Sequence, residues 1–284
     1  MMFYKKGYRP EQTNMTPEEF RRIGHQLVDW IADYRSRIAE YPVMSTVKPG
    51  DIRRKLPGTR PETPERFEAI IQDLDAILLP GISHWNHPGW YGYFPANASL
   101  SSVLGDLLST GLGVLGLNWQ SSPALTEVEE LVTDWMRQMV GLSGNWQGVI
   151  QDTASTSSLV ALLCGRERVS NHSQAAGGLQ AEPVPLIVYT SAQSHSSVEK
   201  AALLAGFGRD NVRSIATGQN HALRVDLLKQ AIESDQAKGN RPCAVAATIG
   251  TTTTTALDPL EPIAELTRAH GMWLHVYAAM AGSS

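Results

Sequence analysis

The sequence predicts an α/β protein: a mostly parallel sheet built from strand–helix–strand units, preceded by an N-terminal helical segment. Three observations predict it. Apolar β-type runs fall near residues 147–151, 185–190, 212–216, 242–249 and 272–276. Helical periods fall between them, near 155–169, 196–207, 225–237 and 259–270. The first 80 or so residues show only the 3.6-residue period of amphipathic helices. Strands alternating with helices at this spacing imply right-handed crossovers and a parallel sheet.

The elements follow in order. Thr16-Pro-Glu-Glu19 supplies an N-cap, a proline at the first helical position and an acid able to close a capping box. Phe20, Ile23, Leu27, Trp30, Ile31, Tyr34 and Ile38 then recur at helical spacing, and the helix should stop before Pro42. A Pro/Gly-rich connector runs from Lys48 to Pro61. Thr63-Pro-Glu repeats the start signal ahead of Phe67, Ile70, Ile71, Leu74, Ile77 and Leu78, and Pro80-Gly81 ends that helix. Two amphipathic helices around a long connector need a further surface to cover their apolar faces. The rest of this chain or a second subunit could supply it, and a second subunit is the expected cover. From Ile82 the texture changes: residues 83–95 are dense in aromatics, Gly and Pro, too irregular for a helix or a central strand. A helix begins at Ser122-Pro-Ala and runs to about Val140. The expected division is therefore residues 1–81 as an N-terminal helical dimerisation segment and 82–284 as the sheet-bearing domain. The chain ends at Ser284, just after an apolar strand, so that domain is expected to be incomplete.

Bulk properties exclude several classes. Hydrophobic residues make up 42% of the 284 and charged residues 18%, as in a globular chain with a sizeable core. The net charge of −4 and scattered basic residues argue against nucleic acid or an anionic membrane surface as partner. No apolar stretch approaches the ~20 residues of a membrane span. No long apolar run follows Lys5 and Lys6, so no signal peptide is expected. Cys164 and Cys243 lie far apart in apolar surroundings and read as buried free thiols, in keeping with a cytoplasmic protein.

Chemistry concentrates where strands end. The loop Gln151-Asp-Thr-Ala-Ser-Thr-Ser-Ser158 joins a strand to a helix and is made of small residues from Thr153 on. Backbone N–H groups at a helix start, with hydroxyls, make a cup for a phosphate. The same residues are equally an ordinary Ser/Thr cap, and Asp152 beside them would repel an anion. His195 lies just past another strand end, between Ser194 and Ser196. It is either a satisfied structural histidine or an imidazole facing a ligand at the sheet's carboxyl edge. No second histidine or cysteine stands at ligand spacing, which argues against zinc.

These stretches resemble a known family. Ala154-Ser155, Gln193-Ser-His-Ser-Ser-Val-Glu199, Ala247-Thr-Ile-Gly-Thr-Thr-Thr253 with Asp258, and Trp273-Leu-His-Val-Tyr-Ala-Ala279 occur in the order and spacing of the group II pyridoxal-phosphate (PLP) decarboxylases. His84-Trp-Asn-His-Pro, Tyr91-Gly-Tyr-Phe-Pro95 and Trp119-Gln-Ser-Ser-Pro-Ala-Leu-Thr-Glu127 match the same family. The likeness covers the chain from about Met15 to Ser284 and is closest to bacterial aromatic-L-amino-acid (DOPA-type) decarboxylases. It implies the large domain of PLP fold type I, a homodimer, and decarboxylation of an aromatic L-amino acid to its amine. It also implies roles. Ala154 and Ser155 would form part of the phosphate cup. His195 would stack on the cofactor ring and shuttle a proton. Thr252 would be a cofactor-side hydroxyl, Asp258 an acid near the site, and Ala279 a small residue under the ring. Trp85, Tyr93, Phe94 and Pro95 would wall the aromatic substrate, with Leu115 and Leu117 contributed across the dimer interface; core packing is their other reading. The aromatic content of 84–94, without a basic cluster, speaks against an acidic substrate.

The sequence departs from that family at two points. Tyr277 stands where the resemblance places the carboxylate that partners the ring nitrogen. A phenol, with a pKa near 10, is neutral at pH 7 and supplies no counter-charge. The Schiff-base lysine would lie beyond the last strand; Lys200, Lys229 and Lys238 do not match it. Decarboxylation is accordingly expected to be impaired or absent in this chain. The alternative is a catalytically silent fragment that associates with an intact subunit.

Overall fold

The structure, a computed structural model, describes residues 15–93, 98–170 and 174–283. The chain divides into two compact units, Met1–Val114 and Leu115–Ser284.

The first unit is helical. Helix α1 (Pro17–Ser36) begins as its sequence requires. The Thr16 hydroxyl accepts from the Glu19 N–H at 3.2 Å, and the Glu19 carboxylate accepts from the Thr16 N–H at 2.9 Å. Helix α2 (Asp51–Lys55) is a short turn inside the connector. Helix α3 (Phe67–Asp73) passes into a π-turn over Leu74–Leu78 and a 3₁₀ turn over Leu79–Gly81. The start expected at Thr63 is not used, and Arg66 is the N-cap. The reason is chemical. Three residues after Thr16 stands Glu19, an acceptor; three after Thr63 stands Arg66, which only donates, so no capping box can close.

Across this unit Arg22 pairs with Glu68 at 2.7 Å, and the Trp30 indole donates to Asp75 at 2.9 Å. The irregular segment after residue 81 belongs to the same unit. The His84 N–H donates to the Val43 carbonyl at 2.9 Å, and its buried ring bonds the Tyr34 hydroxyl at 2.8 Å. Those bonds tie the segment after the texture change at 82 to the first unit, whose boundary falls at 114/115. Helix α4 (Leu100–Leu112) closes the unit, capped by Ser99 and stopped by Gly113 at φ 62°. Only glycine takes that left-handed conformation without strain.

The second unit opens with α5 (Pro123–Met139). The strand expected at 147–151 lies outside the sheet. The Ile150 N–H donates to Glu129 of α5 at 2.8 Å, and Gly148 sits so close to α5 that a Cβ would come within 2.6 Å of Thr133. The segment's hydrogen bonds thus go to a helix instead of a strand. Helix α6 (Ala154–Val169) follows, then β1 (Leu186–Ser191), α7 (Ser196–Leu204), β2 (Val212–Ile215), α8 (Val225–Ala237), β3 (Arg241–Thr248), α9 (Leu260–Ala269) and β4 (Trp273–Tyr277).

Among the described residues the strands form one four-stranded parallel sheet in the order β2-β1-β3-β4. Alternate residues feed two faces, as the two-residue period of a strand dictates. Ile187, Tyr189, Val245 and Ala247 pack with Leu228 and Ile232 of α8 and Ile263 of α9. Leu186, Val188 and Ala244 pack with Leu162 of α6 and Ala201 and Ala202 of α7. A fully buried Leu228 or Ile232 contributes roughly 1.5–3 kcal/mol. Gly165 lets α6 lie against β4; a Cβ there would fall 2.8 Å from the Trp273 ring. On the α8 side, Asp235 accepts from Arg213 at 2.7 and 2.9 Å, from the Tyr189 hydroxyl at 3.0 Å and from Asn240 at 3.0 Å.

Candidate functional site

The strand order sets where a ligand can lie. From β1 the chain crosses to β2 on one side, and from β3 it crosses to β4 on the other. The carboxyl ends of the adjacent β1 and β3 therefore form a topological switch point, where the two crossovers leave a crevice. The sequence puts polar side chains there. Thr190 Oγ1 donates to Ser194 Oγ at 2.7 Å, and Ser194 Oγ is 3.3 Å from Thr248 Oγ1. This hydroxyl chain ties the end of β1 to the end of β3.

His195 is the N-cap of α7. Its Nδ1 accepts from the Ser197 N–H at 3.3 Å and lies 2.8 Å from Ser197 Oγ. A ring nitrogen that accepts a backbone N–H carries no proton, so the neutral imidazole holds its proton on Nε2. The ring itself is exposed.

Ala154 and Ser155 are the first two residues of α6. Their N–H groups have no acceptor within the helix. The cap is Thr153, whose Oγ1 accepts from the Thr156 N–H at 3.2 Å. The threonine thus caps one N–H, and the first two N–H groups of the helix are left without an intrahelical acceptor.

Tyr277, the last residue of β4, joins these parts. Its ring is 20° from parallel with the His195 imidazole, centroids 6.2 Å apart. It forms a buried cluster with Val198 and Ala246, against which Ala154 packs. The start of α6 and the imidazole of α7 therefore share one neighbourhood around one phenol ring.

The other residues singled out in the sequence take different places. Thr252 lies exposed in the turn after β3, and its neighbour Thr251 is buried. Thr251 Oγ1 accepts from the Ala256 N–H at 3.0 Å and lies 2.6 Å from Thr254 Oγ1. Ala279 is exposed in the turn after β4. Gly250, at φ 78°, lets these two turns meet; a Cβ there would come within 3.0 Å of Ala281 and 3.1 Å of Met280. Asp258 is buried as a brace. One carboxylate oxygen accepts from the Leu223 N–H and the other from the Thr248 N–H, both at 2.8 Å. Burial raises its pKa, and those two N–H bonds lower it only in part. It holds the end of β3 in place, a positioning role.

In the first unit Trp85 stacks on Trp90 at 5.0 Å and on Tyr93 at 5.6 Å. Phe94 and Pro95 lie outside the described residues. In the second unit Leu115 and Leu117 are 68% and 78% exposed, so neither packs in a core. Cys243 is buried, and burial pushes its thiol up to about 12; Cys164, expected to be buried, is exposed on α6.

His275 is a site neighbour that the sequence reading passed over. It lies two residues before Tyr277, on the same face of β4. Its Nε2 lies 3.1 Å from Ser158 Oγ of α6, and its ring meets Tyr277 edge-on at 6.5 Å. Burial pulls its pKa down to about 4, so it is neutral at pH 7. The period-two spacing to Tyr277 was the available signal.

A helix start whose first N–H groups have no intrahelical acceptor, beside an exposed imidazole, suits a ligand that combines a phosphate with a flat ring. The comparisons with known proteins agree. The pyridoxal-dependent decarboxylase conserved domain matches residues 49–284. The chain is 42% identical to tyrosine/DOPA decarboxylase 2 of Papaver somniferum over 279 residues, covering 95% of this chain and 51% of that protein. It resembles the crystal structure of Catharanthus roseus tryptophan decarboxylase in complex with L-tryptophan, with TM-score 0.88 and 38% identity over 95% of this chain and 58% of that one. It also resembles Oryza sativa TDC with PLP, with TM-score 0.87 and 33% identity over 95% of this chain and 59% of that one. The chain spans about half the length of the curated relatives it matches. With its parallel α/β sheet and these matches, the chain belongs to the pyridoxal-dependent decarboxylase family.

Proposed function

We propose that this chain carries the cofactor-holding part of a PLP-dependent decarboxylase of aromatic L-amino acids, with its chemistry impaired or lost through Tyr277. The observation that carries this reading is the shared neighbourhood of Ala154, His195 and Tyr277 at the switch point. PLP, when bound, supplies a sink for the electrons left as CO2 departs. Several of the chain's own residues serve it. The N–H groups of Ala154 and Ser155 bind the phosphate. His195 lies against a flat ring and holds a proton at Nε2, fixed there by the Ser197 N–H. Asp258 holds Thr248, and with it the hydroxyl chain, in register. Thr252 and Ala279, on turns that meet through Gly250, flank the crevice. The family resemblance gives Trp85, Tyr93, Phe94 and Pro95 to the wall of an aromatic substrate, and Leu115 and Leu117 to a second subunit's site.

Tyr277 is the weak point. A neutral phenol in place of a carboxylate removes a charge-assisted bond, roughly 1.5–3 kcal/mol. That is about tenfold to hundredfold in rate, before any loss of the electron sink. The test supplies PLP with L-tyrosine, L-tryptophan or L-DOPA and measures amine and CO2, with a full-length relative assayed alongside. Turnover at least tenfold below the relative's is expected. Turnover equal to the relative's contradicts the impairment, and failure of a folded Tyr277→Asp variant to bind PLP contradicts the decarboxylase reading.

A homodimer is part of the same reading. Helix α4 leaves Leu104, Leu108 and Leu112 more than half exposed, and α5 exposes Trp135, Met136 and Met139. Such faces on both units support association with another copy. These faces, with Tyr277, also favour a second reading: a silent partner that pairs with an intact subunit. Mixing the chain with a full-length relative and measuring mass in solution decides it; absence of a mixed species removes the partner reading. A cytoplasmic setting, supported by the two free thiols, completes the proposal.

A further inference from the structure

We propose that the ring of Tyr277 is a built-in occupant of the cofactor ring's place, so that this chain admits PLP only when the phenol moves aside. The proposal rests on the cofactor reading given above and deepens it. A flat ring bound between two others needs their planes about 7 Å apart, twice the carbon contact distance of about 3.5 Å. The centroids of His195 and Tyr277 are 6.2 Å apart, and the gap between two near-parallel planes cannot exceed the centroid separation. No third ring fits between them.

The phenol is also held where it is. It is 9% exposed, packed with Val198 and Ala246, and met edge-on by His275. Ala154, the first residue of the anion-binding helix, packs on the same cluster. A phosphate at that helix start and a ring against His195 thus call for the space that the Tyr277 side chain fills. Asp258 does not replace the missing counter-charge, because both of its oxygens are taken by the N–H groups of Leu223 and Thr248. Tyr277 is here a determinant of cofactor affinity that acts by its volume, and its hydroxyl is dispensable.

Equilibrium dialysis against PLP tests this with four proteins: wild type, Tyr277→Phe, Tyr277→Ala and Tyr277→Asp. Circular dichroism confirms that each is folded; Tyr277→Ala carries the volume test, with Tyr277→Ser in its place if it does not fold, because Tyr277→Asp also restores a counter-charge. Wild type and Tyr277→Phe are expected to bind PLP alike. Tyr277→Ala and Tyr277→Asp are expected to bind at least tenfold more tightly. Wild-type binding as tight as that of the small variants overturns the occupant while leaving the cofactor reading intact. Weaker binding by Tyr277→Phe than by wild type also overturns it, because the hydroxyl would then be a ligand. No binding by any of the four removes the cofactor reading and the occupant together.

Discussion

The imidazole of His195 and the phenol of Tyr277 lie 20° from parallel, 6.2 Å apart, on two elements separated by more than 80 residues of chain. The parallel sheet makes this possible. Strand β1 delivers His195 and β4 delivers Tyr277 to the same carboxyl edge, with β3 between them. Thr248 of β3 pairs in register with Tyr277, and its hydroxyl closes the chain to Ser194 beside His195. The predictions below concern the parts that hold this edge together.

Acid should loosen the contact between β4 and α6 through His275. Its pKa falls from 6.5 to about 4 on burial. As pH drops below 6.5, the unfolded chain takes up the proton first and the native site resists it. The stabilisation is therefore fully present above pH 6.5 and lost as pH falls to about 4. Its size is roughly 3 kcal/mol. Urea denaturation at pH 7, 5.5 and 4.5 should show this loss in wild type and a smaller one in His275→Gln. Parallel pH profiles for the two proteins would contradict the assignment.

Asp235 should be the costliest single charge to remove. Burial pushes its pKa up, but the bonds from Arg213, Asn240 and Tyr189 outweigh that and hold it below the usual carboxylate value of 3.8. Its contribution is present above pH 3.8 and lost as pH falls through the lowered value. Asp235→Asn leaves Arg213 without its counter-charge beside a carbonyl. A loss of about 2–3 kcal/mol in urea is expected, below the 3–5 for a fully buried pair because Arg213 is partly exposed.

Gly165→Ala places a methyl 2.8 Å from the Trp273 ring, with the α6 backbone behind it. Overpacking of this kind costs about 1–3 kcal/mol. A lowered melting temperature is expected, and an unchanged one would mean that α6 can move off β4 freely.

Asp258→Asn tests the brace. An amide offers one acceptor where the carboxylate offers two, so one of two buried N–H groups loses its partner. The expected cost is about 1–3 kcal/mol. Hydrogen exchange should quicken at the amides of Leu223 and Thr248 specifically, which a general loss of stability would not produce.

Much of this architecture was legible in the sequence. The four strands read as short apolar runs, and the helices between them follow from their periods. The failures have two causes: a distant partner decided one pattern, and local signals were passed over in two others. Residues 147–151 look like a strand, but Glu129 and Thr133 hold them along α5. Thr63 looks like a cap, but Arg66 stands where an acceptor is needed. Helix α4 passed unnoticed although Ser99 and Gly113 mark both its ends. In the site, Ala154 and His195 were recognisable because each opens or follows an element at the carboxyl edge, and Tyr277 because the family resemblance places a carboxylate there. The bracing of Asp258 and the burial of His275 depend on Leu223, Thr248 and Ser158, which no local pattern connects to them.

A crystal structure of the Tyr277→Asp chain soaked with PLP tests the central claim most directly, that the switch point between β1 and β3 is a cofactor site. The account predicts phosphate density at the N–H groups of Ala154 and Ser155 and a pyridine ring lying against His195. PLP bound at any other place on the chain, with that crevice empty, would contradict it.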